Sequence, residues 1–478
     1  MSHLLNDELA VLNVGIEAFT ESVRAHAKEV RHVDWRPPGD GDPALAWRLA
    51  ALLGDPRDPE APGSRVDRAN GTATARMLAA QPRLADVALH ARDAWPDMGR
   101  TLLHAGAPVP WERMCAPMRG SMIGAVLYEG WAKSAEEAEA MLGRGSIRFE
   151  QCHDWQAVGP MSGVISPSMP LFVVKNATHG NAAYTNFSEG IGRVLRFGAY
   201  SPPVLEQLRW MESVLAPAIK AAVARTHDGV DLKAIQSQAL LMGDEVHSRN
   251  AAATALFFMA VAPALAESDF DRAKAAAALA FVAANSQFFL NLSMAASKAT
   301  MDAAHGIEHS SIVTAIARNG VTTAIRVSGL GRRWFEAPSD TPVGLYFPGF
   351  KQADANPDLG DSAICETAGF GGQSLAASPA LVKLVGGSVA QAIAYSREMA
   401  HVTWTRNPTM SLPNLEFAGA PAGIDVRKVV DTGIRPVLTT GIAHRTAGVG
   451  QIGAGIVRVP MGCFTQALAA LADSLGID

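Results

Sequence analysis

The sequence predicts an α/β protein: an N-terminal Rossmann-like domain, a mixed α/β middle, a helical segment and a C-terminal α+β domain. Three observations carry this. The first 110 residues alternate strand-like and helix-like apolar patterns. From Pro203 to about Ala317 the chain reads as nearly all helix, rich in Ala, Leu and Met. From Thr322 onward, strand-like runs alternate with glycine turns. The expected divisions are residues 1–110, 111–202, 203–321 and 322–478, interleaved rather than strung out, since no internal repeat or low-complexity linker separates them.

Taken in order, Leu9–Val14 is an apolar run closed by Gly15, Glu17–Lys28 has helical spacing, and Val30–Trp35 alternates. Together they make a β-α-β unit. Arg36-Pro37-Pro38-Gly39-Asp40 stops it, because Pro-Pro continues neither a strand nor a helix interior. Val66–Ala80 reads as helix, Val87–Ala91 and Thr101–Ala105 as further strands. Between Trp111 and Ser201 a helix over Ser134–Leu142 sits among Gly- and Pro-rich turns. Val343–Phe347 and Pro436–Thr440 are strands of the last segment.

The 23 residues between Lys274 and Lys298 carry no charge, long enough to span a bilayer. Asn285-Ser286-Gln287 and Asn291-Leu292-Ser293 interrupt the run, which is costly in lipid and ordinary in a protein core. The stretch is expected as buried helix, not membrane.

Of the 478 residues, 48% are hydrophobic and 18% charged, against roughly 25% charged in average proteins. So little solvated surface suits a chain that covers part of itself in a homo-oligomer or complex. A net charge of −5 without a basic run argues against nucleic acid. Cys115, Cys152, Cys365 and Cys463 show no CxxC spacing and no secretory h-region opens the chain, so a cytoplasmic location is expected.

Gly448-Val449-Gly450-Gln451-Ile452-Gly453 matches G-x-G-x-x-G, but a dinucleotide site needs a strand before it and a helix after. Here a strand ending in Pro460 follows, which argues against a nicotinamide enzyme. The turn is either a tight glycine turn or a nest of N–H groups for an anion, with His444 and Arg445 beside it. Met242–Asn250 is the densest polar cluster. Asp244, Glu245, His247, Arg249 and Asn250 lie between two apolar helices and are either a paired helix cap or a substrate or metal site. The cluster lacks the H-E-x-x-H order of zinc sites, and no metal or cofactor is expected.

Lys298, Arg318 and Asn319 lie near ends of apolar helices, where they either bind carboxylate or phosphate or complement helix dipoles. His153 beside the Val158–Gly163 turn is a candidate base or group carrier, and equally a structural histidine. Glu189, with Arg193, stands among glycines that allow close approach of a ligand. Asp361-Ser362 closes an oxygen-rich loop that lacks the EF-hand pattern and is a candidate for orienting a polar substrate.

These segments resemble one family across nearly the whole chain, that of AllG (YlbE), a subunit of bacterial oxamate carbamoyltransferase. The resemblance rests on Asn13-Val14-Gly15, Val33–Pro38, Leu103–Gly106, Trp111–Cys115, Met118–Gly120, Val158–Gly163 and Ser168–Pro170. It continues through Met242–Asn250, Phe288–Asn291, Ala317–Gly320, Gly344–Gly349, Asp358–Ser362 and Gly448–Gly455. It implies a cytoplasmic protein working with an FdrA-like subunit and an AllH-like subunit. The implied reaction exchanges a carbamoyl group between oxalurate and phosphate, giving oxamate and carbamoyl phosphate. Such chemistry needs a phosphate cradle, a cation to polarise the carbonyl and a base. The residues offer Gly448, Gly450 and Gly453 with Arg445, Arg318 and Lys298 for the first two, and His247 or His153 for the third. A hydrolase cleaving a C–N bond in a small amide or ureide, and a non-catalytic substrate-binding subunit, are the alternatives.

Overall fold

The computed structural model describes residues 10–27, 29–33, 38–55, 57–382 and 386–477. The expected strand end at Leu9, the helix end at Lys28, the Asp34-Trp35 end of the second strand and Arg36-Pro37 of the proline stop lie outside the described residues. Helices and several sheets are mixed along the whole chain.

The N-terminal β-α-β unit forms: Ala10–Val14 pairs in parallel with Glu29–Val33, across the helix Ala18–Arg24. It stays a two-stranded ribbon of its own. A Rossmann-like sheet over the first 110 residues is not what the strand pairing gives. Pro82–Ala88 pairs antiparallel with Leu171–Asn176, and Thr101–His104 pairs with Arg148–Gln151 and Val164–Ile165 in another sheet. Periodicity marks a strand but not its partner, and these partners come from far along the chain. The expected strand end at Leu89–Ala91 is instead a turn entering the short helix Ala91–Ala94.

The helix expected over Ser134–Leu142 forms as Ala135–Gly143, with the Ser134 side chain accepting from Glu137 N at 3.2 Å, an N-cap. The uncharged stretch becomes two helices, Arg272–Ala284 and Phe289–Ala303, bent by 80° at the polar triad. Asn285 makes the break: its Oδ1 accepts from Gln287 N at 3.1 Å, a local turn that competes with helix. No single helix among the described residues is long and apolar enough to cross a membrane. Phe289–Ala303 is buried nearly all round and packs against the five-stranded sheet that holds Leu171–Asn176 and Ala182–Asn186.

The helical reading of residues 203–321 ends too late. Val313–Asn319 is a strand, antiparallel to Thr322–Val327, with Gly320 turning the hairpin at φ +77°. Every residue of both strands is buried, and an apolar run of that kind has no period to separate it from a buried helix. Arg318 and Asn319 therefore stand on a strand, not at a helix end. The largest apolar core runs from Ala73 to Ala422 and takes residues from all four expected segments. A second core closes the ends of the chain together, with Leu45, Leu49 and Leu52 of the helix Pro43–Leu52 among the same buried residues as Phe464, Leu468 and Leu471 of the helix Met461–Ser474.

Candidate functional site

Helix Leu232–Leu241 stops before Gly243, whose φ is +95°, and residues 243–250 run without helix until Ala251–Ala266 begins. The polar cluster is thus a loop between two helices. Asp244 Oδ2 accepts from Ala253 N at 2.9 Å and so caps the next helix, while its Oδ1 lies 3.2 Å from Arg249 Nε. Burial pushes the Asp244 carboxyl up to about 7. Glu245 accepts from the backbone N–H groups of Ser248 and Arg249 and from Thr439 Oγ1, and burial raises it too. Between Glu245 and His247, Val246 holds φ +64° although fully buried. A β-branched residue takes that conformation only where its surroundings impose it.

The turn delivers the His247 ring to Glu366, with Nδ1 and Oε1 2.8 Å apart and both side chains buried. Oε1 also accepts from Thr439 N at 3.0 Å and Gly372 N at 3.3 Å, which fixes the carboxylate. A carboxylate only accepts, so Nδ1 carries the proton and Nε2 is left as the lone-pair nitrogen. The ring lines a cavity of about 230 Å³.

Arg196 stands in the same wall. It is 3% exposed, its Nε donates to Gly190 O at 2.8 Å, and its Nη1 has no partner among the described residues. Burial lowers the guanidinium while Glu189 opposes that shift. Glu189 is itself buried, accepts from Leu195 N at 2.6 Å, and is raised by burial against the pull of Arg196. Two wall hydroxyls complete the set. Ser248 Oγ has no partner among the described residues, and Ser362 Oγ accepts from Arg318 Nη2 at 3.2 Å, leaving its own proton free. A base, a cation and two hydroxyls therefore share one small cavity.

Behind Ser362 lies a second polar layer. Arg318, fully buried, pairs with Asp358 at 2.8 Å, and Thr440 Oγ1 donates to Asp358 at 2.8 Å. Asp361 accepts from Gly106 N at 2.7 Å and Gly159 N at 3.2 Å, and burial raises its carboxyl to about 7. His153 Nε2 approaches Asp361 Oδ1 at 3.5 Å, yet neither ring nitrogen has a hydrogen bond among the described residues. His153 and Lys298 line a different cavity, of about 350 Å³, which shares no residue with the first.

The remaining expected residues are placed as follows. Asn319 organises its own hairpin, accepting from Val321 N and Thr322 N at 2.9 and 2.7 Å. Asn250 Nδ2 donates to His247 O and bonds Gln287, which in turn donates to Ser248 O at 2.7 Å, bracing the loop behind the cavity. Gly448 N donates to Phe197 O at 2.8 Å, and Gly453 sits in the central strand of a three-stranded sheet, between Tyr346 and Ile442. His444 Nδ1 accepts from Thr446 N at 2.9 Å and Arg445 is exposed. None of Gly448, Gly450, Gly453, His444 and Arg445 walls the His247 cavity; their neighbours Gly441, Gln451 and Ala454 do.

Glu366 and Thr439 were not foreseen. Glu366 has a faint signal, as the only charge between Asp361 and Lys383 in the sequence. Thr439 has none. Among the described residues no group of three His, Cys, Asp or Glu side chains is placed to hold a metal ion.

Residues 147–362 match the family model described as "Oxamate carbamoyltransferase subunit AllG". The oxamate carbamoyltransferase subunit AllG of Escherichia coli (strain K12) is 53% identical over 380 residues, covering 79% of this chain and 91% of that one. The uncharacterized protein YahG of the same strain is 41% identical over 475 residues, 99% of each chain. Among solved structures, a conserved protein of unknown function from Enterococcus faecalis V583 superposes with a TM-score of 0.85 at 44% identity, covering 86% of this chain and 99% of that one. The chain belongs to the family of oxamate carbamoyltransferase subunits of the AllG type.

Proposed function

We propose that this chain is the subunit of a carbamoyltransferase complex that binds a carboxylated ureide, such as oxalurate, and exchanges its carbamoyl group with phosphate. FdrA-like and AllH-like chains are the proposed partners. The observation that carries the reading is the His247 cavity, where the imidazole held by Glu366 and the unpartnered Nη1 of buried Arg196 stand in one wall. Arg196 suits the substrate carboxylate, because a guanidinium pairs with a carboxylate by charge-assisted bonds. The hydroxyls of Ser248 and Ser362 suit the carbonyl oxygen, which gains charge as phosphate adds.

In the forward direction an oxygen of hydrogen phosphate forms the bond to the carbamoyl carbon, and the bond from that carbon to the amide nitrogen breaks. His247 Nε2 takes the phosphate proton and returns it to the departing nitrogen, so oxamate and carbamoyl phosphate leave with atoms and charge balanced. Glu366 steadies the imidazolium formed between the two transfers.

Turnover of oxalurate by the reconstituted complex, with and without phosphate and coupled to ATP formation through a carbamate kinase, tests this. Phosphate-dependent ATP formation is the expected result. Consumption that continues without phosphate would replace transfer by hydrolysis.

A further inference from the structure

The second cavity, of about 350 Å³, is built differently from the first. Lys298 and Arg326, both buried, and Arg332, at its mouth, supply three cations. Asp302 pairs with Lys298 at 2.6 Å, and Asp154 pairs with both arginines. His153 and His305 complete the wall; burial lowers both imidazoles, with Lys298 and Arg326 adding to the effect, while Asp302 opposes it at His305. Three cations against two carboxylates leave an excess of positive charge facing the cavity.

Hydrogen bonding points the same way. Buried polar atoms are nearly always paired, so a cluster of unpaired ones asks for a partner. Both ring nitrogens of His153 and the Nε of Arg326 have none among the described residues, though both side chains are at least nine-tenths buried and both line the cavity. Trp334 packs behind the wall without lining the cavity: Arg326 stacks on its ring at 4.2 Å and His153 meets it edge-on at 5.4 Å. Lys298 keeps further N–H donors beyond its bond to Asp302. Two unpaired acceptors face the same cavity, Asn181 Oδ1 and one ring nitrogen of His153, but the spare N–H groups of Lys298, Arg326 and Arg332 carry the excess positive charge and match a small oxyanion.

We propose that this cavity binds a tetrahedral oxyanion, as free phosphate or as the phosphoryl group of a small molecule, at a site separate from the His247 cavity. The two cavities share no residue, and the layer between them holds Asp361, 3.5 Å from His153 on one side and followed in the chain by Ser362, which walls the other. The proposal does not depend on the carbamoyl-transfer reading.

Calorimetric titration of the full chain with inorganic phosphate and, separately, with glycerol phosphate tests it. Saturable binding of at least one is expected, weakened about tenfold or more by Lys298→Met, which removes a buried charge, and about two- to fivefold by Arg332→Ala, whose exposed charge is screened. Lys133→Ala, which removes an exposed charge that walls neither cavity, should leave that affinity unchanged. Tighter binding of the free ion or of the ester assigns the form of the ligand. Should Lys298→Met fail to fold, Arg332→Ala decides alone, because Arg332 is largely exposed. Absence of binding of both probes at about 10 mM, or retention of wild-type affinity by the Lys298 and Arg332 variants, would overturn the proposal.

Discussion

His247 and Glu366, 119 residues apart in sequence, meet through a 2.8 Å contact between Nδ1 and Oε1 inside the protein. The loop after helix Leu232–Leu241 presents the imidazole, and the short helix Ile364–Thr367 presents the carboxylate. Backbone N–H groups of Thr439 and Gly372 donate to the same Oε1.

Glu366→Gln should preserve these bonds, since the amide oxygen accepts where Oε1 does, but remove the charge that steadies an imidazolium. The expected result in the assembled complex is a fall in kcat of about 10- to 10³-fold with little change in KM. Steady-state kinetics checks the split. A KM effect with kcat intact would make Glu366 a residue of substrate binding.

Arg196→Lys keeps a charge but loses the planar fork that addresses a carboxylate. KM for a carboxylated ureide should rise about 10- to 100-fold, the worth of one or two charge-assisted hydrogen bonds. The corresponding uncharged amide should lose much less. Equal losses for both substrates would remove the carboxylate from the cavity wall.

Asp361 sets a pH dependence of stability. Burial raises its carboxyl from 3.8 to about 7, so the folded protein holds this proton more tightly than the unfolded chain. The stabilisation is fully present below about pH 4 and is lost as pH rises through about 7. Asp361→Asn cannot ionise and should flatten the thermal stability curve between those limits. A slope identical to that of the unaltered protein would show that Asp361 does not titrate there.

Gly106 is a position where only glycine fits. Its φ is +99°, a Cβ would sit 2.6 Å from Arg318 O, and its N–H donates to Asp361. Gly106→Ala should cost about 1–3 kcal/mol in urea unfolding, from strain and displacement of the Asp361 layer. An unchanged midpoint would mean that the turn relaxes freely.

Asn70 ties the helix Pro62–Ala79 to the C-terminal part. Its Nδ2 donates to Ser311 Oγ and Asp425 Oδ2, and its Oδ1 accepts from Ser310 Oγ and Ser311 N. Asn70→Ala leaves several buried groups unpaired and should destabilise by about 2–4 kcal/mol. A loss under about 0.5 kcal/mol, read from denaturant midpoints, would show that these groups find other partners.

Local signals were legible in the sequence, and long-range ones were not. Ser134 marked a helix start because it acts through a bond to its own backbone, whereas Asn285-Ser286-Gln287 was legible only as unsuited to lipid, not as the 80° break it makes in the expected helix. The Met242–Asn250 cluster stood out as polar groups between buried segments. What it meets did not: Glu366 and Thr439 reach His247 only through tertiary folding, and Arg196 is drawn to the same wall from a glycine-rich loop. The Val313–Asn319 strand was hidden by burial on both faces, and the antiparallel partner of Pro82–Ala88 by its distance along the chain.

Turnover by the assembled complex carrying His247→Ala bears most directly on the central claim, that the His247 cavity is where the carbamoyl group is exchanged. With assembly verified by size, carbamoyl phosphate formation should fall by about 10²-fold or more, the usual worth of a general base. Turnover at the unaltered rate would place the chemistry elsewhere in the complex.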